Sequence, residues 1–414
     1  MLHNEPLRDS AIRSIVRRYY VVSACYVFGP LFIFAVYPLF LRARGLDQFQ
    51  INVVVAAFVL MTFLTDVPTG AFADAVGRRA AVVVGCTLHA AAFLIYFLSH
   101  RYWYFIVAAA ADGLGTTFGN GPIDAWAIDA LDAAGFEGPK DAIFSRKFQL
   151  GEITGMCGSL AGAYIGQANI ATPFLLDTLV WLAAGLVALG LMGRSTGRRI
   201  SPSHIVEEIR RRSIDSTRLG FADRGVRLLS IAGLISATLW YGWGQEWQHY
   251  FNHGLHAGIG KVGWVSVAMI LAQVAGLEVA ARMPGAWERR AWFIAAMSAV
   301  SSAAVIAAGV AGGRMWFALG AVMTALFAQG VLGPMAFAWY NEMIAGENRA
   351  TLLSFGTTMS TLGGIIGLPV QGKMVDAFGT AATWRFAGAL SMTSIACYVA
   401  LARSPVAPAD EASK

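Results

Sequence analysis

The chain has 414 residues, 57% of them hydrophobic and 14% charged, with a formal net charge of +6 and a mean hydropathy of +0.57. A soluble domain carries roughly a quarter charged residues, so this chain lacks the polar side chains to cover a globule in water, and its solvent is lipid. The positive excess sits in short gaps between apolar runs, which argues against a nucleic-acid partner. Cys25, Cys86, Cys157 and Cys397 are scattered without a CxxC pair, so neither a zinc site nor a disulfide framework is expected. Twelve Trp and 45 Gly suit membrane interfaces and close helix contacts.

Arg8, Arg13, Arg17 and Arg18 precede an apolar stretch from Tyr19 to Leu41. That is longer than the roughly 7–15 residues of a signal-peptide core, so it reads as a first span. Counting runs of roughly 20 apolar residues predicts helices near 18–42, 48–73, 79–99, 102–130, 141–168, 171–193, 227–252, 262–281, 290–311, 314–343, 350–377 and 380–402. The connector between Gly193 and Arg227 divides the chain into a bundle at 1–193, a basic cytoplasmic linker at 194–226, and a second bundle with a short tail at 227–414. If the N-terminus is cytoplasmic, 24 of the 31 Lys and Arg fall on the cytoplasmic side, so both termini are expected there, in a multi-pass protein of the inner (plasma) membrane. Within the linker, Ser203 to Arg212 has Ile205, Val206 and Ile209 on one side, as an interfacial helix against anionic lipid would; a regulatory lipid or nucleotide site is the alternative.

The two halves repeat. Arg101, Trp103, Trp126 and Asp129 recur as Arg314, Trp316, Trp339 and Glu342 at an offset of 213, and Ser23, Gly29 and Tyr37 recur as Ser236, Gly242 and Tyr250. Ser145, Gly155 and Gly158 match Ser354, Gly364 and Gly367 at 209. Parallel six-span repeats are an architecture of secondary transporters, with the solute site expected where the halves meet.

Between the second and third spans the chain reads Asp66-Val-Pro-Thr-Gly70-Ala-Phe-Ala-Asp74-Ala-Val-Gly77-Arg78-Arg79. Gly70, Asp74, Gly77, Arg78 and Arg79 match the loop G-x-x-x-D-x-x-G-R-R/K, and the chain resembles the major facilitator superfamily throughout. The resemblance implies an all-α membrane protein with twelve transmembrane helices in two pseudo-symmetric six-helix bundles. It also implies transport by alternating access, in a protein functional as a monomer and not an enzyme. Gly70 is expected to permit close helix approach, Gly77 to take a positive φ, and Asp74 to meet a helix N-terminus or the two arginines as a gating latch. The alternative is that Arg78 and Arg79 only set topology. In the second half, Ala281 to Arg290 keeps the arginines and loses the Gly/Asp pattern, so any latch is expected to be asymmetric.

Drug/proton antiporters of this family usually carry an arginine in the fourth span and a proline in a glycine run of the fifth. Here the fourth span has Asp112 in Ala108–Gly115, and Gly151–Gly162 has no proline, so the likeness to that branch is distant.

Ionisable groups at membrane depth are costly and tend to face a cavity or a partner. Asp112, Asp124, Glu152 and Glu246, with Asn120, are therefore candidates for solute or proton binding. In the resembled family the first, fourth, seventh and tenth spans line the cavity, which favours Asp112 and Glu246. A structural hydrogen bond between helices is the alternative for each. Asp129 and Glu342, near cytoplasmic ends, are gating candidates with Arg146 and Arg349. In the seventh span Trp240, Trp243 and Trp247 form one helical stripe, and Glu246 shares a face with Trp243, His249 and Tyr250. Such a set suits a cationic or aromatic solute, or else an interfacial aromatic belt. Gln245, Gln273 and Gln329 complete the binding candidates. Glu246, His249, His253 and His256 have metal-like spacing, with His249 and His253 the weak metal candidates, so a membrane metalloenzyme is the rival from another class. There is no P-loop, and no cofactor is expected. The sequence thus predicts proton-coupled export of a small organic solute, with proton-coupled uptake as the alternative and protons and membrane lipids as its other partners.

Overall fold

In the computed structural model, residues 10–193, 216–282, 287–344 and 349–403 are described. The predicted linker helix at Ser203–Arg212 lies outside them. So do the side chains of Asn120 and Arg349.

The first half of the chain forms α1 (Ser10–Phe32), α2 (Tyr37–Ala43), α3 (Gln48–Val76), α4 (Arg78–Leu98), α5 (Tyr102–Ala133), α6 (Asp141–Ala168) and α7 (Thr172–Leu191). The second half forms α8 (Arg224–Trp243), a single turn α9 (Trp247–His249) running into a π turn at Tyr250–Gly254, α10 (Ile259–Arg282), α11 (Trp287–Gly309), α12 (Met315–Met343), α13 (Arg349–Phe378), α14 (Thr380–Met392) and α15 (Ser394–Arg403). The protein is an all-α membrane protein, with six spans in each half once α1 and α2, α8 and α9, and α14 and α15 are each counted as one interrupted span.

Local chemistry sets the interruptions. Pro38 sits in the first turn of α2, where its missing N–H costs nothing, and this restarts the first span after residues 33–36. Asp47 and Gln50 make a capping box at the start of α3: the Gln50 N–H donates to Asp47 Oδ1 at 2.7 Å and the Asp47 N–H to Gln50 Oε1 at 3.1 Å. Gly77 at φ +110 makes the turn between α3 and α4, a conformation that L side chains rarely adopt.

Among the described residues nine helices are long and apolar enough to cross a membrane. The long helices α1, α5 and α6 are not among these nine. They carry Arg13, Arg17 and Arg18, then Asp112, Asp124 and Asp129, then Asp141, Arg146, Lys147 and Glu152. The helices that depart most from a purely apolar span thus hold most of the predicted site of the first half.

The chain divides into two compact units. In the first, residues up to 40 and from 57 to 193, α4 packs along α5 and α7, while α1 packs on α6 and α7. Its core is aromatic, with Phe40, Phe93, Tyr96, Phe105, Phe174 and Trp181 fully buried. In the second unit, residues 41–56 join α8 to α15, and Trp247, Trp339 and Trp384 are buried. The repeat is visible within each unit. Arg101 and Arg314 immediately precede α5 and α12, and Trp126 and Trp339 are buried. Trp103 and Trp316 are 72% and 81% exposed, as indoles at a membrane interface are.

Candidate functional site

In the first unit, two glycines bring α4 and α5 together. A Cβ on Gly85 would lie 2.8 Å from the Gly115 carbonyl oxygen, and one on Gly115 would lie 3.0 Å from that of Gly85. One turn beyond Gly85, this approach sets His89 Nδ1 2.5 Å from Asp112 Oδ1, with the side chains 4% and 20% exposed. The other ring nitrogen, Nε2, lies 3.3 Å from the Tyr26 hydroxyl. The Trp181 indole stacks on the imidazole with ring centroids 3.9 Å apart. Gly119 makes room for Tyr26, since a Cβ there would overlap the phenol. Ionisable groups at such depth are costly unless they meet a partner, and here the two face each other. Sequence reasoning singled out Asp112 and missed His89 and Tyr26.

Asp177 was missed as well. It lies on α7 with its side chain fully buried, and neither carboxylate oxygen has a hydrogen-bond partner among the described residues.

Asp124 is occupied differently. It accepts from the Tyr19 hydroxyl at 2.7 Å and from Lys147 Nζ at 2.6 Å, tying α5 to α1 and α6. Its pairing cation is Lys147, and the neighbouring Arg146, expected to act in gating with Asp129, is exposed. With Asp124 about a third exposed, Lys147→Ala should cost about 1 kcal/mol or less, because Tyr19 still donates. A thermal-melt comparison in detergent measures this. Glu152 is exposed on α6.

At the signature loop, Arg78 Nη1 pairs with Asp74 Oδ1 at 2.7 Å, and its Nε lies 3.7 Å from Asp129 Oδ2. Arg79 Nη1 donates to the carbonyls of Leu189 at 3.3 Å and Met192 at 3.5 Å, at the C-terminal end of α7 where a cation is favourable. All these groups belong to the first unit. Gly70 departs from expectation: a Cβ there would meet nothing within 4 Å, so it mediates no close approach in this structure. Glu342 is exposed at the end of α12.

In the second unit the seventh span is broken, which corrects the predicted stripe. The helix ends at Trp243 and residues 244–246 form a turn, so the phase relating Trp243, Glu246 and Trp247 is reset. Trp243 and Trp247 are buried inside the unit rather than displayed as a belt. Glu246 is fully buried and its Oε2 accepts from Trp384 Nε1 at 2.8 Å, while Oε1 has no partner among the described residues. Beside it, Gln48 Nε2 donates to the Gln245 carbonyl at 3.1 Å, and Asn52 Nδ2 to that of Leu368 at 2.8 Å. Asp376 accepts from the N–H groups of Gln48 at 3.0 Å and Phe49 at 2.9 Å, at the first turn of α3. Gln329 Nε2 lies 3.2 Å from Ser301 Oγ, and Gln273 is exposed. The rings of His249 and His253 are 4.8 Å apart, but Glu246 is turned to Trp384. Among the described residues no three His, Cys, Asp or Glu gather as a metal site.

The model of the Major Facilitator Superfamily matches residues 19–252. The chain is 22% identical over 371 residues to the uncharacterized MFS-type transporter YxaM of Bacillus subtilis (strain 168), covering 86% of this chain and 87% of that one. Among solved structures it is similar to the nucleoside transporter NupG, at 14% identity and a TM-score of 0.75 over 94% of this chain and 98% of that one. It is also similar to a POT family transporter in complex with 5-aminolevulinic acid, at 12% identity and a TM-score of 0.69 over 95% and 99%. At such identities these structures speak for the fold alone.

Proposed function

This chain belongs to the Major Facilitator Superfamily, and from that premise we propose that it exports a small organic solute by proton-coupled alternating access. It is a multi-pass membrane transporter. The observation that carries the coupling is the His89–Asp112 pair, its imidazole buried and its carboxylate largely so, with Tyr26 and Trp181 around it. Counting from the start of their helices, both residues lie about 15 Å along, near mid-span. A proton bound there neutralises the carboxylate or charges the imidazole, and either event changes the cost of exposing the pair to water or lipid.

Export is the proposed direction, and the solute an amphipathic or cationic one. Among the described residues no basic side chain joins His89 and Asp112, and Lys147 is engaged by Asp124, so no cation stands beside the pair to clamp an anion. By its charge distribution the protein resides in the inner (plasma) membrane with both termini cytoplasmic, and it works as a monomer. The Asp74–Arg78–Asp129 contacts are the proposed gating set, made and broken as the transporter cycles.

Purified protein in proteoliposomes containing a pH-sensitive dye should move protons when ethidium, tetraphenylphosphonium, a nucleoside or a dipeptide is added from a panel. Solute flux that persists unchanged after a protonophore collapses the gradient would refute the coupling. The two acids favoured from sequence should then separate. Glu246→Gln should keep gradient-driven flux within about threefold, because a glutamine oxygen still accepts from Trp384, whereas Asp112→Asn should lose it. Full flux in both variants would sink the assignment of the proton to either residue.

A further inference from the structure

Asp177 lies on α7 between two aromatic anchors on the same face of the helix. Phe174, one turn earlier, packs 3.9 Å from the ring of Phe40 and also meets Tyr37 and Tyr96. Trp181, one turn later, covers His89 at 3.9 Å and Tyr26 edge-on at 4.9 Å. The carboxyl between them is shut off from solvent at 0% exposure, with both oxygens unpartnered among the described residues.

The elements around it supply no cation for it. Tyr26 comes from α1 and Tyr37 from α2, while α4 contributes Cys86, His89 and Tyr96. Asp112 of α5 is near enough to act on it electrostatically, and it already engages His89. From α6, Gly166 packs against Pro173 at the start of α7, and the acid of that helix, Glu152, is exposed. Arg78 and Arg79, at the opposite end of α4 from Tyr96, are engaged by the signature loop and the end of α7.

Other acids of the first unit are matched to donors. Asp112 has His89, Asp124 has Lys147 and Tyr19, and Asp74 has Arg78. The Trp181 indole beside Asp177 is uncharged and in no close hydrogen-bond geometry, so an ionised carboxylate here is costly and the neutral acid is favoured. An acid serving to join helices would be hydrogen-bonded across them; beside this one stands the Trp181 indole of its own helix, which marks it as a site that exchanges rather than a strut.

We propose that Asp177 is a second proton-binding site of the first unit, carrying its proton while Asp112 is ionised against His89. It deepens the proton-coupled reading above and rests on it for its role in transport. A solute cycle would then move a proton through two neighbouring carboxyls whose like charges disfavour ionising both together.

Infrared spectroscopy of the full-length protein in proteoliposomes tests this, with no solute and no gradient present. All samples carry Glu246→Gln to remove the other fully buried acid among the described residues. At neutral pH the protein should show the C=O stretching band of a protonated carboxyl. That band should disappear in Asp177→Asn, persist in Asp112→Asn, and return, displaced in frequency, in Asp177→Glu. The same band in the Asp177→Asn and Asp177 proteins would overturn the proposal. Bleaching of the band when sodium replaces choline would make Asp177 a sodium site and overturn it too. If Asp177→Asn does not fold, Asp177→Glu lacking the displaced band is the overturning result. Because the band is read at rest, a transporter that proves uncoupled from protons leaves this measurement intact. A coupled transporter that lacks the band overturns Asp177 alone.

Discussion

Asp112→Asn lowers pH-driven solute accumulation in proteoliposomes by about a hundredfold, the scale on which a positioned proton-transfer group contributes to a rate. Solute exchange at equal pH on both sides survives. The two outcomes diverge because asparagine is nearly isosteric with aspartate and keeps an oxygen for the 2.5 Å contact with His89, so the α4–α5 crossing at Gly85 and Gly115 is preserved. What it loses is the charge that allows a proton to be held or released at that point. His89→Gln should also abolish accumulation, but with a different signature. It takes the imidazole from Asp112, which is 20% exposed, and a largely buried carboxylate deprived of its hydrogen-bond partner costs about 1–3 kcal/mol. That variant should therefore melt at a markedly lower temperature, and Asp112→Asn should not. Whichever probe from the panel gives flux in the wild type serves as the readout. Undiminished accumulation in Asp112→Asn would remove the His89–Asp112 pair from the coupling path, whatever its contribution to stability.

Local signals made much of this fold legible. Apolar run lengths, the offset of 213 residues and the Gly70–Arg79 loop led to six spans per half, and the paired roles of Trp103 with Trp316 and Trp126 with Trp339 follow the same repeat. The candidate site was legible only in its acids. Asp112 stood out as a charge in an apolar span. His89 and Asp177 carry that signal too, each alone in a run otherwise fit to cross a membrane, but nothing local connects them to Asp112. Their meeting depends on how α4, α5 and α7 pack, across sequence separations that no periodicity reports. The seventh span misled for a different reason. Its 3.6-residue pattern runs on through Trp240, Trp243 and Trp247, while the backbone breaks at 244–246. Hydrophobic periodicity describes which side chains are apolar, and it is blind to a backbone that tightens for one turn, as Gln245 and Glu246 do in bonding three residues back to Gly242 and Trp243. The attachment of Gln48 and Asn52 to Gln245 and Leu368 joins residues 197 and 316 positions apart, beyond any motif.

Gly162→Ala should destabilise the first unit far more than Gly70→Ala, although only Gly70 belongs to the family signature. On α6, a Cβ at Gly162 would overlap the backbone carbonyl oxygen of Phe32 at the end of α1. The obstacle is main chain and cannot rotate aside, so relief requires α1 and α6 to separate. Small residues at such crossings supply the close backbone approach that holds membrane helices together, since lipid offers no hydrophobic drive between them. Overpacking a well-packed contact costs about 1–3 kcal/mol and sometimes more, and a backbone clash belongs at the upper end. The strain would also propagate. α1 carries Tyr26, whose hydroxyl faces His89, so moving α1 should lower coupled flux as well as the melting temperature. At Gly70 the same methyl group meets nothing within 4 Å, and alanine has the higher helix propensity, so stability should hold or rise slightly. Thermal unfolding of both variants in detergent, in a background where Cys25, Cys157 and Cys397 are replaced by serine and followed by a thiol-reactive dye at the buried Cys86, orders them directly. Equal melting temperatures would mean that the α1–α6 crossing relaxes freely, and that the geometry placing Tyr26 beside His89 is not held from that side.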